Sequence, residues 1–290
     1  MLNKFIKENQ SENNILNKNV ITNYSKIKPS LFFLPVLLLI IIALFLYNQD
    51  AINVDHYIQI QKNYFFWINS KLSQFPKTIY TLTQFGDELI FLSFLSIFIL
   101  YAPKIWESLI SAWFISAIIS IVLKRIFAVP RPAAVFDNHS FVIIGKTLSG
   151  NTSFPSGHSI TVFTILSILL FAFMPNKMKY KISWIMFIII SGMILVFTRV
   201  GVGAHYPLDV IVGSIIGYLS GLTGILINNK YEFSSWINNK KYYPFFILLF
   251  LICCIFLIDK ILNENLIIYY LSLASLVFSL NKIIVVYVKK

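Results

Sequence analysis

The chain is poor in charge. Of its 290 residues only 12% are Asp, Glu, Lys or Arg, whereas 57% are hydrophobic. A soluble domain of this length carries about a quarter charged residues to cover its surface, so a soluble globular domain is excluded. Cysteine is almost missing. The two present, Cys253 and Cys254, are adjacent inside an apolar run. Neighbouring cysteines do not meet disulfide geometry, so they read as two small buried apolar side chains. Carboxylates and thiols nowhere cluster, which leaves no donor set for a metal and implies no metal and no cofactor. No long internal repeat is present. No secretory signal peptide is expected: about thirty polar, lysine-bearing residues precede the first apolar run, and "LFLYNQDAI" after it has no small-residue cleavage site. That run is expected to remain as a membrane anchor.

What the chain has in quantity is apolar runs that reach or approach the roughly 20 residues needed to cross a bilayer. Eight spans are expected, at 31–47, 86–102, 105–123, 158–174, 183–199, 207–228, 243–261 and 266–286. The fold class is therefore all-α, a polytopic transmembrane helix bundle. The polar, Asn/Lys-rich residues 1–30 read as a mobile or interfacial tail. Residues 48–85, with "YFFWI" at 64–68, suit the membrane interface, where Tyr and Trp prefer to sit.

The net charge of +12 does not signal nucleic acid, because most lysines lie at the edges of hydrophobic runs. They set orientation instead. Lys4, Lys7, Lys18, Lys26 and Lys28, the loops 174–181 and 228–241, and Lys289-Lys290 place the N-terminus in the cytoplasm. Segments 124–157 and 200–206 then share the opposite, extracytoplasmic face. In span six, Gly213, Gly217 and Gly221 line one helix face and permit close helix approach in lipid.

The two extracytoplasmic segments hold the polar residues of interest. "KRIFAVPRP" offers Lys124 and Arg131, "SFPSGHS" offers Ser156, Gly157 and His158, and "TRVGVGAHYPLDV" offers Arg199, His205 and Asp209. Singly, each has a bland reading: Lys124 snorkels at a span end, and Pro-Ser-Gly starts a helix. Asp209 is harder to dismiss, since a charge near the start of an apolar span needs a partner. Together they have the composition of a phosphate site. Three cations suit a dianionic phosphoryl group. The free N–H groups at a helix start at Ser156-Gly157-His158 form an anion cradle. Two histidines suit the two proton-linked tasks of phosphate-ester cleavage. Asp209, four residues after His205, can orient that ring if Pro207 opens a helix. His158, beside the cradle and with no acid nearby in sequence, is the better general acid.

Lys124 with Arg131-Pro132, then Pro155-Ser156-Gly157-His158, then Arg199, His205 and Asp209 form an ordered three-part signature. It resembles that of the type 2 phosphatidic acid phosphatase superfamily, over roughly residues 85–228. The resemblance implies a six-helix phosphatase core at 31–228, with two additional transmembrane helices at 229–290. It implies a metal-independent integral-membrane lipid phosphatase, with His205 as a nucleophile that forms a phosphohistidine, oriented by Asp209. His158 would protonate the leaving group, and Lys124, Arg131, Ser156, Gly157 and Arg199 would bind phosphoryl oxygens. The expected partner is a phosphorylated membrane lipid: lipid A, undecaprenyl diphosphate, phosphatidylglycerol phosphate or phosphatidate. The expected location is a bacterial inner membrane, with the site facing outward. A lipid-to-lipid phosphotransferase needs the same residues, and a silent lipid-phosphate-binding scaffold is the non-enzymatic alternative. Thr198 stands where the family has Ser. Asp137, His139 and His56 read as solvated residues outside the site.

Overall fold

Helix formation follows the apolar runs, and prolines in the first turn start several of the helices, where their missing N–H costs no bond. The computed structural model describes residues 15–231 and 235–288, and no strand occurs among them. Residues 15–24 form α1. After a 3-10 turn come α2 (Phe33–Asn48), α3 (Val54–Leu72), α4 (Pro76–Thr83), α5 (Glu88–Leu95), α6 (Phe98–Tyr101) and α7 (Pro103–Phe127). The chain continues through the single turn α8 (Pro132–Val135), then α9 (Gly157–Ala172), α10 (Met178–Gly201), α11 (Pro207–Tyr231), α12 (Tyr243–Glu264) and α13 (Ile267–Val288).

Among the described residues, six helical stretches are long and apolar enough to cross a membrane: Pro29–Asn48, which joins the 3-10 turn to α2, Pro103–Val135 with α7 and α8, α10, α11, Lys240–Glu264 with α12, and α13. The protein is a multi-pass helical membrane protein. The expected span 158–174 is the shorter α9, of 16 residues. The expected span 86–102 is not one helix. Asp87 caps α5 by accepting the Leu89 N–H at 2.9 Å, and the Ser93 and Ser96 hydroxyls bond back to the carbonyls of Leu89 and Ser93. Such local hydroxyl bonds compete with the helix ladder, and the segment breaks into α5 and α6 before Pro103 restarts the chain as α7.

The centre is α9 against α11. An added Cβ at Gly213 would fall 2.7 Å from the Ser156 carbonyl, and one at Gly221 would fall 2.8 Å from that of Thr164. Gly217 faces Ile160 in the same way. The two helices run parallel in backbone contact, and the glycine stripe of the sequence is their seam. Helix α7 packs antiparallel against both α9 and α11, with Gly224 against Ala112. The ends of α7 and α10 and the starts of α9 and α11 therefore meet at one level of the bundle.

Two parts of the chain differ from the sequence expectation. Part of the expected mobile tail is α1, a docked helix. Val20 and Tyr24 are fully buried, Tyr24 Oη donates to the Ile168 carbonyl, and Asn23 Nδ2 donates to the carbonyls of Ala172 and Met174. Residues 1–14, with Lys4 and Lys7, and the pair Lys289-Lys290 lie outside the described residues. The segment expected along the interface is α3 and α4. Tyr64 and Trp67 on α3 are exposed, but its opposite face is buried against the ends of α10 and α11. Helices α12 and α13 pack on α5, α6 and the first half of α7, with Trp106, Phe246, Phe250 and Tyr269 in a second apolar core. Lys260 pairs with Asp87 at 2.7 Å, and the Ser96 hydroxyl accepts from Ser279 at 2.6 Å. Cys253 and Cys254 are buried free thiols within α12.

Candidate active site

Four helix ends and three connecting loops converge at one end of the bundle. Lys124 occupies the last turn of α7, and Ala128 then adopts a left-handed conformation with φ 43° that turns the chain away. The loops are laced by backbone bonds: Arg131 N–H to Gly150, Ser153 N–H to Val129, and Ser156 N–H to Asp209. This last bond, 3.0 Å long, ties the start of α9 directly to the first turn of α11. Ser156 is the N-cap of α9. A Cβ at Gly157 would lie 3.3 Å from the Lys124 ammonium, so the cation stands over the free N–H groups of the helix start. Between Arg199 and His205 the chain reverses at Gly203, whose φ of +79° and contact with Phe141 leave no room for a side chain.

His205 is 1% exposed. Its Nδ1 lies 3.4 Å from Asp209 Oδ2, and its Nε2 lies 3.2 Å from Nη1 of Arg131. A guanidinium only donates, so Nε2 must present its lone pair and the ring proton must sit on Nδ1. Ser153 agrees. Its single hydroxyl proton goes to Asp209 Oδ2 at 2.6 Å, so its 3.5 Å contact with Nδ1 can only accept. Asp209 is fully buried and takes two further donors, Tyr57 Oη at 2.6 Å and the Tyr206 N–H at 3.0 Å. Three donors and an imidazole N–H around two oxygens fit an ionised carboxylate. Burial first, and then the charges of Arg131, Arg199 and Lys124, hold the His205 imidazole well below its ordinary value. It is therefore neutral at neutral pH.

The same three cations act on the ring of His158. That ring is pressed against Gly86, where an added Cβ would meet Cδ2 at 2.5 Å. Arg131 is anchored by the Ala204 carbonyl at 3.1 Å and by Thr152. Arg199 is 7% exposed; its Nη1 donates to Thr83 Oγ1 at 3.0 Å, and its buried Nε has no hydrogen-bond partner among the described residues. None of the three cations is paired with a carboxylate among the described residues, whereas Lys104 and Lys260, elsewhere in the bundle, both are. One buried and two half-buried cations without a carboxylate partner, one of them with an orphaned donor, suit an anionic ligand. All eight expected residues therefore meet in one place.

Other sequence candidates fall outside. Thr198 bonds back to the Leu195 carbonyl within α10. Asp137 accepts from the His139 N–H in an exposed loop, and His56 is an exposed residue of the first turn of α3. Tyr57, Ser153, Thr83 and Gly86 touch the site but carry no motif signal, except that Ser153 opens the quoted "SFPSGHS". Among the described residues, no group of three or more His, Cys, Asp or Glu side chains is placed to hold a metal ion.

A buried His–Asp pair facing three cations without carboxylate partners lies across the ends of packed helices in a helical membrane protein, an arrangement suited to an anionic ligand. Residues 105–233 match the PAP2 superfamily. The chain is 37% identical to a lipid A 1-phosphatase of Rhizobium etli over 131 residues, which cover 44% of this chain and 52% of that protein. It is 30% identical to an undecaprenyl-diphosphatase of Sulfolobus acidocaldarius over 138 residues, 47% of this chain and 62% of that protein. The matched region thus spans between half and two-thirds of these relatives' own length. The crystal structure of Aquifex aeolicus LpxE superposes with a TM-score of 0.48 and 24% identity, covering 58% of this chain and 95% of that chain.

Proposed function

We propose that the protein is a metal-independent lipid phosphatase. It hydrolyses a phosphomonoester or diphosphate of a membrane lipid, through a phosphohistidine at the extracytoplasmic face of a bacterial inner membrane. The observation that carries the reading is the enforced tautomer of His205: Nε2 holds a lone pair on the side of the cations, and Nδ1–H faces Asp209.

In the first step Nε2 attacks phosphorus and the bond from phosphorus to the lipid oxygen breaks. His158 must enter this step as the imidazolium, a form the anionic phosphoryl group beside it would favour against the three cations; it gives its proton to that oxygen and becomes neutral, and Asp209 stabilises the imidazolium that forms at His205. Lys124, Arg131 and Arg199, with the helix-start N–H groups at Ser156 and Gly157, hold the phosphoryl oxygens and offset their growing charge. In the second step water attacks phosphorus, His158 takes its proton, and the P–N bond breaks to release phosphate and neutral His205. The site lies at span ends, so an acyl or prenyl tail stays in the bilayer while the head group enters. Lipid A and undecaprenyl diphosphate are the substrates favoured by the relatives' names. Phosphatidylglycerol phosphate and phosphatidate have the same reacting group. Transfer of the phosphoryl group to a second lipid uses the same residues, and product identity separates the two outcomes.

The test is phosphate release by detergent-purified protein from each of these four lipids with EDTA present. Release from at least one, lost in His205→Ala, is expected. Release that needs a metal, or that survives loss of His205, overturns the mechanism.

A further inference from the structure

Four residues of α3 recur at four-residue spacing on one face: Tyr57, Gln61, Phe65 and Asn69, each 5% exposed or less. Their contacts run in reverse order along the segment from Arg199 to Asp209. Tyr57 Oη donates to Asp209 Oδ1 at 2.6 Å. Gln61 Oε1 accepts the Leu208 N–H at 2.7 Å, and its Nε2 donates to the Tyr57 carbonyl at 2.9 Å. Phe65 meets the Tyr206 ring edge-on at 5.7 Å. Asn69 Nδ2 donates to the carbonyls of Val200 and Gly201 at 3.2 and 3.0 Å. These are carbonyls at the end of α10, of which that of Val200 also accepts the Gly203 N–H, and an N–H at the start of α11 that the helix cannot satisfy itself.

We infer that α3 is a strut that sets the geometry of the active site, with Tyr57 as a positioning residue for the His205–Asp209 pair; this rests on the phosphatase reading above. Helix α3 lies outside the segment 105–233 that matches the superfamily. Tyr57 is the one hydrogen-bond donor to Oδ1 among the described residues, whereas Ser153, the Tyr206 N–H and His205 all address Oδ2. Fixing Oδ1 stops the carboxylate from rotating and keeps Oδ2 on Nδ1. The short phenol bond also draws charge from the carboxylate, which weakens its hold on an imidazolium. Burial and the neighbouring carboxylate push the Tyr57 phenol well above its ordinary value, so it remains a donor throughout the working range. The other charged or titratable groups facing His205 are Lys124 on α7, Arg131 before α8, His158 on α9, Arg199 on α10, and Tyr206 with Asp209 at the start of α11. Of these, Asp209 alone is anionic, so the bond that tunes it tunes the pair.

Tyr57→Phe removes the hydroxyl and keeps the ring with its edge contact on Phe154. The expected result is a kcat about 10-fold lower with KM changed less than about twofold, and an acid limb of kcat/KM moved to higher pH. The limb moves because a carboxylate relieved of the phenol holds the protonated ring more strongly. Gln61→Leu, which cuts the tie to Leu208 and leaves the carboxylate untouched, should lower kcat without moving the limb. Tyr57→Phe with unchanged kcat and limb overturns the inference. A fall in kcat with the limb unmoved overturns it too, because packing alone would do that. A wild-type protein that releases phosphate while Tyr57→Phe behaves identically sinks only the strut; a wild-type protein inactive on every lipid sinks the phosphatase reading and this inference together.

Discussion

Nη1 of Arg131 donates to Nε2 of His205 at 3.2 Å while the same nitrogen donates to the Ala204 carbonyl at 3.1 Å. The guanidinium thus holds the lone pair of the proposed nucleophile and is fixed to the backbone beside it. The bond to Nε2 must break as that lone pair attacks phosphorus, and the freed N–H can pass to a phosphoryl oxygen while the Ala204 carbonyl keeps the guanidinium in place. Lysine, a single point charge on a flexible stem, has no such geometry. Arg131→Lys should lower kcat/KM about 10- to 100-fold, measured by phosphate release, with thermal stability close to wild type. A lysine variant of full activity would remove the fork from the mechanism.

The acid limb of kcat/KM should lie below the ordinary histidine value of about 6.5. Burial and three cations disfavour protonation of His205 in the free enzyme. As pH falls through 6.5 the ring stays neutral, and activity is lost only once the depressed value is reached. Because kcat/KM reports the free enzyme, a limb above 6.5 would contradict the buried, cation-flanked environment.

Thr83 positions Arg199 from α4, a helix with no residue in the family signature. Thr83→Val keeps the shape and leaves a second buried donor of Arg199 without a partner. The expected effect is a KM raised about three- to tenfold with kcat less affected, read from steady-state kinetics in mixed micelles. Arg199→Met should cost more, because the charge goes with the geometry.

At Gly213 a methyl group would fall 2.7 Å from the Ser156 carbonyl, at the point where α9 and α11 bring the cradle to Asp209. Gly213→Ala should therefore destabilise the protein by about 1–3 kcal/mol and lower phosphate release as well. A thermal scan in detergent beside an activity assay checks both. A stable but inactive variant would place the damage in the site alone, and a fully active one would deny the seam its role.

Much of the site was legible because its chemistry lies in short motifs whose spacing survives without tertiary information. His205 and Asp209 sit one helical turn apart, and Ser156, Gly157 and His158 are consecutive. The helix-packing role of Gly213, Gly217 and Gly221 was legible for the same reason. What escaped depends on distant partners. Tyr57 reaches Asp209 across 152 positions and Thr83 reaches Arg199 across 116. The stripe of Tyr57, Gln61, Phe65 and Asn69 is visible in the sequence, but beside exposed Tyr64 and Trp67 it reads as an interfacial helix. The break at 86–102 escaped because Asp87, Ser93 and Ser96 act through hydroxyl and capping bonds that apolar composition outweighs. Tyr24 and Val20 were hidden among the polar residues of the tail.

Helix α9, at 16 residues, is about 24 Å long, whereas α11 has 25 residues and extends about 37 Å. Their starts are tied together at Ser156 and Asp209, so the whole deficit falls at the far end. There α1 sits, its Asn23 Nδ2 donating to the carbonyls of Ala172, the last residue of α9, and of Met174, and its buried Tyr24 donating to that of Ile168. Under the phosphatase reading proposed above, a water-accessible site over so short a helix calls for a cover at the opposite end, and α1 stands in that place.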